Sequence, residues 1–352
     1  MNDKKTADTI ETPERLKFDE QSLAKWMSAN IDGFSGPLTA RKFSGGQSNP
    51  TYLLTTPTRQ YVLRRKPPGK LLPSAHAVDR EYRVMKALGS TGFPVPKMLG
   101  LCEDEGVIGT IFFVMEFLQG RVFWNPTLPD LPLPERAAIF NTAADTIARL
   151  HKADYKALGL GDFGKHENYF ARQIARWTKQ FKAAETEPIA AMDNLIAFLP
   201  TAIPEGDETT IVHGDYRLDN IMFEAITPKA LAVLDWELST LGHPLADFSY
   251  FLMAWHLPRI TKLGFADIDH AALGLPGKDD MIDRYCTITG RDGLPDLDFC
   301  MAYNMFRLAG IAQGVYARAL QGNASSQEGK NYGAIVPFLA DIGWQFAKKS
   351  GA

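Results

Sequence analysis

Apolar positions follow two different periods along this chain, one in its first third and another in the remainder. In the first third they alternate with polar positions, as on the two opposite faces of a strand. This alternation predicts strands at Pro37–Phe43, Thr51–Thr55, Gln60–Arg64, Lys97–Cys102 and Thr110–Glu116. Because the segments are short and separated by turn residues, we expect them to form one small antiparallel sheet.

Elsewhere apolar positions recur every three to four residues, as on the buried face of a helix. One such helix is predicted among the strands, from about Ala75 to Leu88, and Glu81 falls in line with its apolar residues. Beyond residue 130 helices predominate. They are predicted at 134–151, around 170–181, and at 190–198, 245–255, 278–289, 297–321 and 334–348. A sheet with one helix, followed by many helices, predicts an α+β fold class.

The length of 352 residues exceeds what a single hydrophobic core usually supports, which favours two lobes. We place the boundary after Glu116. Residues 1–116 then form an N-terminal lobe that contains the sheet, and residues 117–352 form a helical C-terminal lobe. Residues 1–15 are polar and charged, so we expect a mobile tail there.

Composition narrows the class of protein. The formal charge of −3 gives no overall field that would attract nucleic acid, and no nucleic-acid-binding motif is visible. The three cysteines are widely spaced and odd in number, so we expect no disulfide framework and a reducing, cytoplasmic location. The N-terminus lacks the apolar core of a secretory signal, and no apolar run is long enough to span a membrane.

Candidate chemistry concentrates between Ile211 and Glu237. One apolar run delivers Asp215 into a turn, Asn220 follows five residues later, and a second apolar run delivers Asp235. Phosphoryl transfer needs a group beside the acceptor hydroxyl and metal ions on the phosphates. We interpret Asp215 as that catalytic group. Asn220 and Asp235 are candidate ligands of Mg²⁺, because both supply the oxygen donors that this ion prefers.

A hairpin is needed to bring the two candidate metal ligands together. Ile221–Phe223 and Leu231–Leu234 can pair across the intervening loop, which would place Asn220 and Asp235 at the same end. The alternative is a polar turn followed by an exposed strand end.

The turn between the first two predicted strands is a candidate phosphate-binding segment. Its small residues leave backbone N–H groups accessible to phosphates. A plain tight hairpin turn is the alternative. The candidate nucleotide-binding residues of this turn are Ser44, Gly45, Gly46 and Ser48.

Arg64 and Glu81 are further candidates in the N-terminal lobe. Arg64 shares a strand face with Val62 and would reach phosphates if that face looks into a nucleotide cleft. Glu81 requires a partner if it is buried, and Arg64 can be that partner. The alternatives are a solvated arginine and a glutamate that reaches water. Glu116 ends an apolar strand, where backbone groups of the following connector can bind an adenine edge.

A glycine-rich segment, a basic helix face and a histidine can each be explained by a structural role instead of a catalytic or binding role. The literal GxGxxG at residues 159–164 follows a helix rather than a strand, so it is interpreted as a loop. Arg172, Arg176 and Lys179 lie on one helix face and can receive an anionic substrate tail or simply be solvated. His213 is predicted to support the turn before Asp215.

The segments HGDYRLDN and LAVLDWELSTLGHPLADFSYF resemble the aminoglycoside phosphotransferase family, a branch of the protein-kinase-like fold. The similarity is greatest to the kinase-like domain associated with acyl-CoA dehydrogenases, and it extends from about Leu38 to the last helix. The resemblance implies a bilobal kinase-like fold that binds ATP and Mg²⁺ between an N-terminal nucleotide-binding lobe and a C-terminal lobe with the catalytic loop and acceptor pocket. By position, Asp215, Asn220 and Asp235 match the catalytic and metal-binding residues. Glu81 matches the N-lobe helix glutamate, and Glu116 and Leu118 match hinge positions.

Two positions depart from the family pattern. Arg64 occupies the strand position that usually holds lysine, and its guanidinium is a planar fork rather than a compact ammonium. Glu237 lies two residues after Asp235 and can add a metal contact or serve a structural hydrogen bond. Asp247 is predicted to tie the catalytic loop.

These observations predict an ATP- and Mg²⁺-dependent phosphotransferase acting on a hydroxyl of a small molecule. The similarity to dehydrogenase-linked domains suggests a hydroxyacyl-CoA or a hydroxy acid as the acceptor. The alternative is a catalytically silent nucleotide-binding module that partners an acyl-CoA dehydrogenase. The oligomeric state is left open by the sequence.

Overall fold

The computed structural model describes residues 9–44, 49–69, 76–321 and 331–352. The chain divides into two compact units, each built from more than one stretch of sequence. Unit 1 comprises Met1–Trp124, Asp154–Phe163 and Leu218–Ser239, and unit 2 comprises Asn125–Ala153, Gly164–Arg217 and Thr240–Ala352. These units are defined by which residues contact one another, and they are not continuous in sequence. The lobe boundary placed after Glu116 therefore stays a prediction.

Unit 1 is organised by an antiparallel sheet. Its strand order is β1-β2-β3-β4-β6-β5, and every neighbouring pair is antiparallel. The strands are β1 (Thr9–Ile10), β2 (Thr39–Phe43), β3 (Thr51–Thr55), β4 (Gln60–Arg65), β5 (Met98–Cys102) and β6 (Phe112–Glu116).

Alternation along these strands gives the sheet two different faces. One face packs against helix α1 (Glu20–Asn30), where Leu23 and Met27 join a core that is almost fully buried. Each large apolar side chain buried in this way contributes about 1.5–3 kcal/mol. The strand residues of that core include Tyr52, Leu54, Tyr61, Leu63, Phe112 and Val114.

The second helix of unit 1, α2 (Val78–Gly89), contacts strands β5 and β6. Its buried residues recur at helical spacing and include Glu81 together with Val84, Met85 and Leu88. The predicted helix is therefore confirmed over Val78–Leu88, and its predicted start at Ala75 lies outside the described residues.

A smaller three-stranded sheet completes unit 1. Its order is β10-β9-β7, formed by β7 (Arg121–Val122), β9 (Ile221–Phe223) and β10 (Ala230–Val233). Gly120 precedes β7 at a close approach to β9: a Cβ atom there would overlap with the carbonyl oxygen of Phe223 and the side chain of Met222. The position therefore requires glycine for reasons of space.

Unit 2 is mainly helical. Its helices are α3 (Leu133–His151), α4 (Tyr169–Ala184), α5 (Ala190–Phe198), α6 (Pro244–Leu252), α7 (Lys278–Thr289), α8 (Leu297–Leu320) and α9 (Tyr332–Lys349). A two-stranded antiparallel ladder joins β8 (Thr210–Val212) to β11 (Thr240–Gly242). Among the described helices, none is long and apolar enough to cross a membrane.

Helix α6 lies directly after β11 and packs against β8 and α8. All nine of its residues are buried, including Asp247 and Tyr250. His243 caps its start by accepting a hydrogen bond from the Leu245 N–H, and Pro244 occupies the first turn, where no backbone donor is needed. The predicted helix to Trp255 instead ends at Leu252 and continues as a single 3-10 turn, Met253–Trp255.

Candidate active site

The hairpin predicted around the two candidate metal ligands is confirmed. Strands β9 and β10 pair antiparallel, with Val233 opposite Ile221. The backbone N–H of Leu234 then donates to the carbonyl oxygen of Asn220 at 2.8 Å. Asn220 ends a one-turn 3-10 helix, and Asp235 directly follows Leu234, so the hairpin brings the two residues to the same end.

Asp235 adopts an unusual backbone conformation. Its φ and ψ are 62° and 60°, in the left-handed region that aspartate tolerates better than most residues. A 3-10 turn, Trp236–Leu238, follows at once, and Trp236 is buried with its indole N–H donating to the Val233 carbonyl at 2.9 Å. Asp235 therefore lies between β10 and a turn that is anchored by a buried tryptophan.

Arg64 contacts three carboxylates within unit 1. Its Nε lies 2.9 Å from Oε2 of Glu81, and its Nη2 lies 2.6 Å from Oδ1 of Asp235. The same Nη2 is 3.6 Å from Oε2 of Glu237. The ion pair considered between Arg64 and Glu81 is therefore present, and the planar guanidinium extends it to Asp235.

The cluster of Arg64, Glu81, Asp235 and Glu237 carries more negative than positive charge. One guanidinium faces three carboxylates, and the Glu81 side chain is only 2% exposed. Burial raises the pKa of Glu81 to about 7, and the charges of Asp235 and Glu237 add to this rise while Arg64 opposes it. Burial alone would lower the pKa of Arg64, but the three carboxylates outweigh it and the pKa is raised.

A polar chain extends from this cluster toward the predicted phosphate-binding turn. The amide nitrogen of Asn49 lies 3.5 Å from Oε2 of Glu237, and its amide oxygen lies 3.0 Å from Nδ1 of His76. Ser44 directly follows β2. The other predicted residues of this turn, Gly45, Gly46 and Ser48, lie outside the described residues.

Glu116 and Leu118, the predicted hinge residues, lie at the end of β6 and in the connector after it. The Glu116 carboxylate accepts a hydrogen bond from the Lys97 N–H at 2.6 Å, and its own N–H donates to the Lys97 carbonyl at 3.0 Å. Glu116 thus fixes the start of β5 against β6. Leu118 is half-buried, and a contact of either residue with a nucleotide stays a prediction.

In unit 2, Asp247 holds the candidate catalytic loop by its backbone. Its Oδ2 accepts from the His213 N–H at 2.6 Å, and its Oδ1 accepts from the Gly214 N–H at 2.8 Å. Burial alone would raise the pKa of Asp247, but hydrogen bonds and the imidazoles of His151 and His213 outweigh it and lower that pKa. The predicted role of Asp247 in tying this loop is confirmed.

His213 and Gly214 shape the turn that precedes Asp215. Nδ1 of His213 accepts a hydrogen bond from the Asp215 N–H at 3.2 Å, which confirms its predicted support of the turn. Gly214 has a φ of 86°, a left-handed conformation that glycine adopts without strain. Together they deliver Asp215 directly after strand β8.

The Asp215 carboxylate has two side-chain neighbours in unit 2 that the sequence did not reveal. The Tyr250 hydroxyl donates to Oδ1 of Asp215 at 2.8 Å, and Nε of Arg217 lies 3.5 Å from the same oxygen. Tyr250 lies three residues after Asp247 on α6, so helical spacing could have placed both on the loop-facing side.

Arg307 of helix α8 also reaches the loop. Its Nη2 donates to the Gly214 carbonyl at 2.5 Å, and its guanidinium lies over the Tyr250 ring, 5.0 Å from the ring centroid. No sequence signal distinguishes Arg307 from the other arginines, because it lies 92 positions after Asp215 in a helix that also carries the charged residues Asp298 and Arg318.

The predicted site residues are therefore divided between the two units. In unit 1, Arg64, Glu81 and Asp235 meet directly, and the β9–β10 hairpin adds Asn220. Asp215 belongs to unit 2, with its own set of partners. Among the described residues, no group of three or more histidine, cysteine, aspartate or glutamate side chains forms a candidate metal site. Any metal held by Asn220 and Asp235 would need oxygen ligands from a bound substrate or water.

The antiparallel sheet with its two helices in unit 1, the helices of unit 2 and the HGDYRLDN loop define a kinase-like phosphotransferase. The model of the phosphotransferase enzyme family, APH, matches residues 39–281, and the chain belongs to this family. The resemblance to the aminoglycoside phosphotransferase family and the predicted α+β, kinase-like fold are thereby confirmed.

Three proteins that are similar to this chain cover most of its length. A Ralstonia eutropha protein provisionally called an aminoglycoside phosphotransferase is 50% identical, with a TM-score of 0.88 over 95% of this chain and 99% of that one. Acyl-CoA dehydrogenase family member 10 of Mus musculus is 44% identical over 96% of this chain, which spans only 32% of that relative. A thermostable mutant of aminoglycoside phosphotransferase APH(4)-Ia, solved with ADP and hygromycin B, shares the fold. Its TM-score is 0.60 at 16% identity, over 94% of this chain and 99% of that one.

Proposed function

We propose that this protein transfers a phosphoryl group from ATP, with Mg²⁺, to a hydroxyl of a small molecule. The observation that carries the proposal is the junction of Arg64, Glu81 and Asp235 at the end of the hairpin that also carries Asn220. A buried ion pair beside two oxygen-donor residues is suited to holding phosphates and their metal.

The residues present fit a divalent cation. Three carboxylates against one guanidinium leave an excess of negative charge. The pKa of Glu81 is raised chiefly by burial, and the charges of Asp235 and Glu237 add to the rise. Asn220 and Asp235 would hold Mg²⁺, while Arg64 would contact the phosphates from its place beside Asp235. When bound, the metal supplies neutralisation of the phosphate charge during transfer.

We assign the acceptor hydroxyl to Asp215, which would orient it and accept its proton. Nucleotide contacts are assigned to Ser44, Gly45, Gly46 and Ser48 of the turn, and to Glu116 and Leu118 of the connector. Residues 1–116 would accordingly act as the nucleotide-binding lobe and residues 117–352 as the acceptor-binding lobe.

For the acceptor, we propose a hydroxyacyl-CoA or a related hydroxy acid. The support is the name of the mouse relative, an acyl-CoA dehydrogenase family member with which this chain shares 44% identity over 339 residues. A functional link to an acyl-CoA dehydrogenase and a cytoplasmic location belong to the same proposal. The carboxylate or thioester carbonyl of such an acceptor would distinguish it from a polycationic aminoglycoside.

Replacement of Asp235 by asparagine tests the assignment of the metal ligand. Asparagine keeps the shape of the aspartate side chain and tolerates the left-handed backbone at this position. It lacks the negative charge that would bind Mg²⁺ and that pairs with Arg64. We expect ADP release with Mg·ATP and hydroxyacyl-CoA or hydroxy acid acceptors to fall at least about a hundredfold.

The matched control is Asp32→Asn, the same chemical change at an exposed position of unit 1. It should leave turnover at the wild-type level. Undiminished ADP release in a folded Asp235→Asn variant would refute the role assigned to Asp235.

One observation favours a second candidate function, a catalytically silent nucleotide-binding module. Arg64 engages Asp235 at 2.6 Å, so it competes directly with a metal for the same carboxylate. Under this alternative, isothermal titration would detect ATP binding, but no hydroxylated acceptor would support ADP release by the wild-type protein.

A further inference from the structure

Tyr250 is the side chain from outside the catalytic loop that makes the shortest described contact with Asp215. Its hydroxyl donates to Oδ1 of Asp215 at 2.8 Å, from the second turn of helix α6. Tyr250 is almost completely buried, with 4% of its surface exposed. A buried phenol placed against a carboxylate fixes the rotation of that carboxylate, because turning it would break the hydrogen bond.

The ring of Tyr250 is itself held from a second helix. The Arg307 guanidinium lies 5.0 Å from the centroid of the ring and donates to the Gly214 carbonyl at 2.5 Å. The guanidinium also lies 5.7 Å from the centroid of the Trp177 ring. Arg307 therefore joins the aromatic ring that supports Asp215 to the backbone that carries Asp215.

We propose that Tyr250 is a positioning residue for Asp215, and that Arg307 holds Tyr250 in place for this task. The inference rests on the proposed function, in which Asp215 receives the acceptor proton. With Oδ1 anchored by the phenol, the carboxylate presents Oδ2 to the acceptor hydroxyl in one direction. As the acceptor oxygen bonds to phosphorus and the bond from phosphorus to ADP breaks, the hydroxyl proton moves to Asp215, while Tyr250 keeps its own proton.

The phenol remains a donor over the working pH range. Burial raises the pKa of Tyr250, and the nearby charge of Asp215 raises it further, although Arg217 and Arg307 act in the opposite direction. Charged or titratable side chains around Asp215 include His213 and Arg217 from its own loop, Tyr250 from α6 and Arg307 from α8. Both arginines stay charged, so the phenol hydrogen bond is the interaction that Tyr250→Phe removes.

The test is Tyr250→Phe, which deletes the hydroxyl and retains the ring under Arg307. We expect the kcat for Mg·ATP with the best acceptor to fall about tenfold, as for loss of one hydrogen bond to a charged group, with the KM for ATP unchanged.

The control is Tyr332→Phe, the same change at a partly exposed tyrosine at the start of α9. It should match the wild type in kcat and in the KM for ATP. Tyr250→Phe with the wild-type kcat would overturn the inference.

A second measurement separates this inference from the proposed function. With ¹³C-carboxyl-labelled aspartate, and Asp215→Asn to assign its signal, NMR observes the Asp215 carboxylate without any turnover. At a fixed pH the Asp215 signal should lie at a different chemical shift in Tyr250→Phe than in the wild type, because the carboxylate has lost its hydrogen bond from the phenol; coincident signals would overturn the inference. If the wild type releases no ADP with any acceptor, the proposed function fails, and the NMR comparison alone decides the role of Tyr250.

Discussion

At the scale of single residues, Glu81 shows how burial and charge together set a pH dependence. Its pKa is raised from 4.5 to about 7 in the folded protein. Between these values the folded state holds a proton that the unfolded state has released, so Glu81 lowers stability as pH rises. Over this interval its contribution to the free energy of unfolding changes by about 3 kcal/mol.

Glu81→Gln should remove that dependence. The free energy of unfolding, measured by urea at pH 5 and pH 7, should gain more from the substitution at pH 7 than at pH 5. The partly buried imidazole of His256, whose pKa is lowered to about 4 by burial and by Lys278 and Lys349, acts in the opposite direction. As pH falls from 6.5 toward 4, the unfolded state binds a proton at His256 before the folded state does, so the free energy of unfolding decreases.

His256→Gln therefore serves as a control of opposite sign. It should gain more stability at pH 5 than at pH 7, because it removes the cost of keeping a partly buried imidazole neutral in acid. A Glu81→Gln variant whose difference from the wild type is the same at both pH values would contradict the raised pKa of Glu81.

Residue-scale prediction from sequence succeeded where local spacing carried the signal. The pairing of Arg64 with Glu81 followed from a strand face and a helix face that each held one charge in an apolar setting. The contact of Arg64 with Asp235 could not be predicted, because it depends on the left-handed turn after β10. Tyr250 and Arg307 were missed for a related reason: their partners are brought together only when α6 and α8 pack.

At the scale of elements, the approach of Gly120 to β9 fixes how the connector after β6 joins the β9–β10 hairpin. Gly120→Ala should destabilise unit 1 by about 1–3 kcal/mol, the usual cost of forcing extra volume into a packed site. Thermal unfolding followed by circular dichroism provides the measurement. The reason is the overlap of the new Cβ with the Phe223 carbonyl and the Met222 side chain.

Gly161→Ala is the matched control, since a Cβ at Gly161 meets no atom within 4 Å and the residue belongs to the same unit. It should leave the unfolding midpoint close to that of the wild type. Equal midpoints for the two alanine variants would mean that the backbone near Gly120 can yield.

Most elements could be predicted because their periodicity is strong. The predicted segments 190–198 and 278–289 coincide with α5 and α7, and Thr51–Thr55 coincides with β3. Element ends were less predictable: the predicted strand beginning at Thr110 starts at Phe112, because pairing with Cys102 of β5 begins there. Tertiary pairing, rather than local propensity, decides such boundaries.

At the scale of the whole molecule, the proposed function predicts coupling between ligand and stability. Mg·ATP at about a hundred times its dissociation constant should add about 2.7 kcal/mol to the free energy of unfolding of the part that binds it. Differential scanning fluorimetry should show a higher midpoint with Mg·ATP than with ATP and EDTA.

In Asp235→Asn, the increment that depends on Mg²⁺ should disappear, while an increment from the nucleotide alone can remain. An Asp235→Asn variant that retains the full Mg²⁺-dependent rise would place the metal elsewhere. The excess negative charge around Arg64 is the physical reason for expecting the dependence.

The left-handed backbone of Asp235 has a consequence for mutational scanning. Alanine lacks the polar side chain that makes this conformation tolerable, and a left-handed residue with a plain Cβ costs about 1–2 kcal/mol. An alanine scan would therefore add conformational strain to the loss of the carboxylate at this position, and the two effects would be counted as one. Glycine and asparagine substitutions separate them, since glycine relieves the strain and asparagine keeps the side-chain shape.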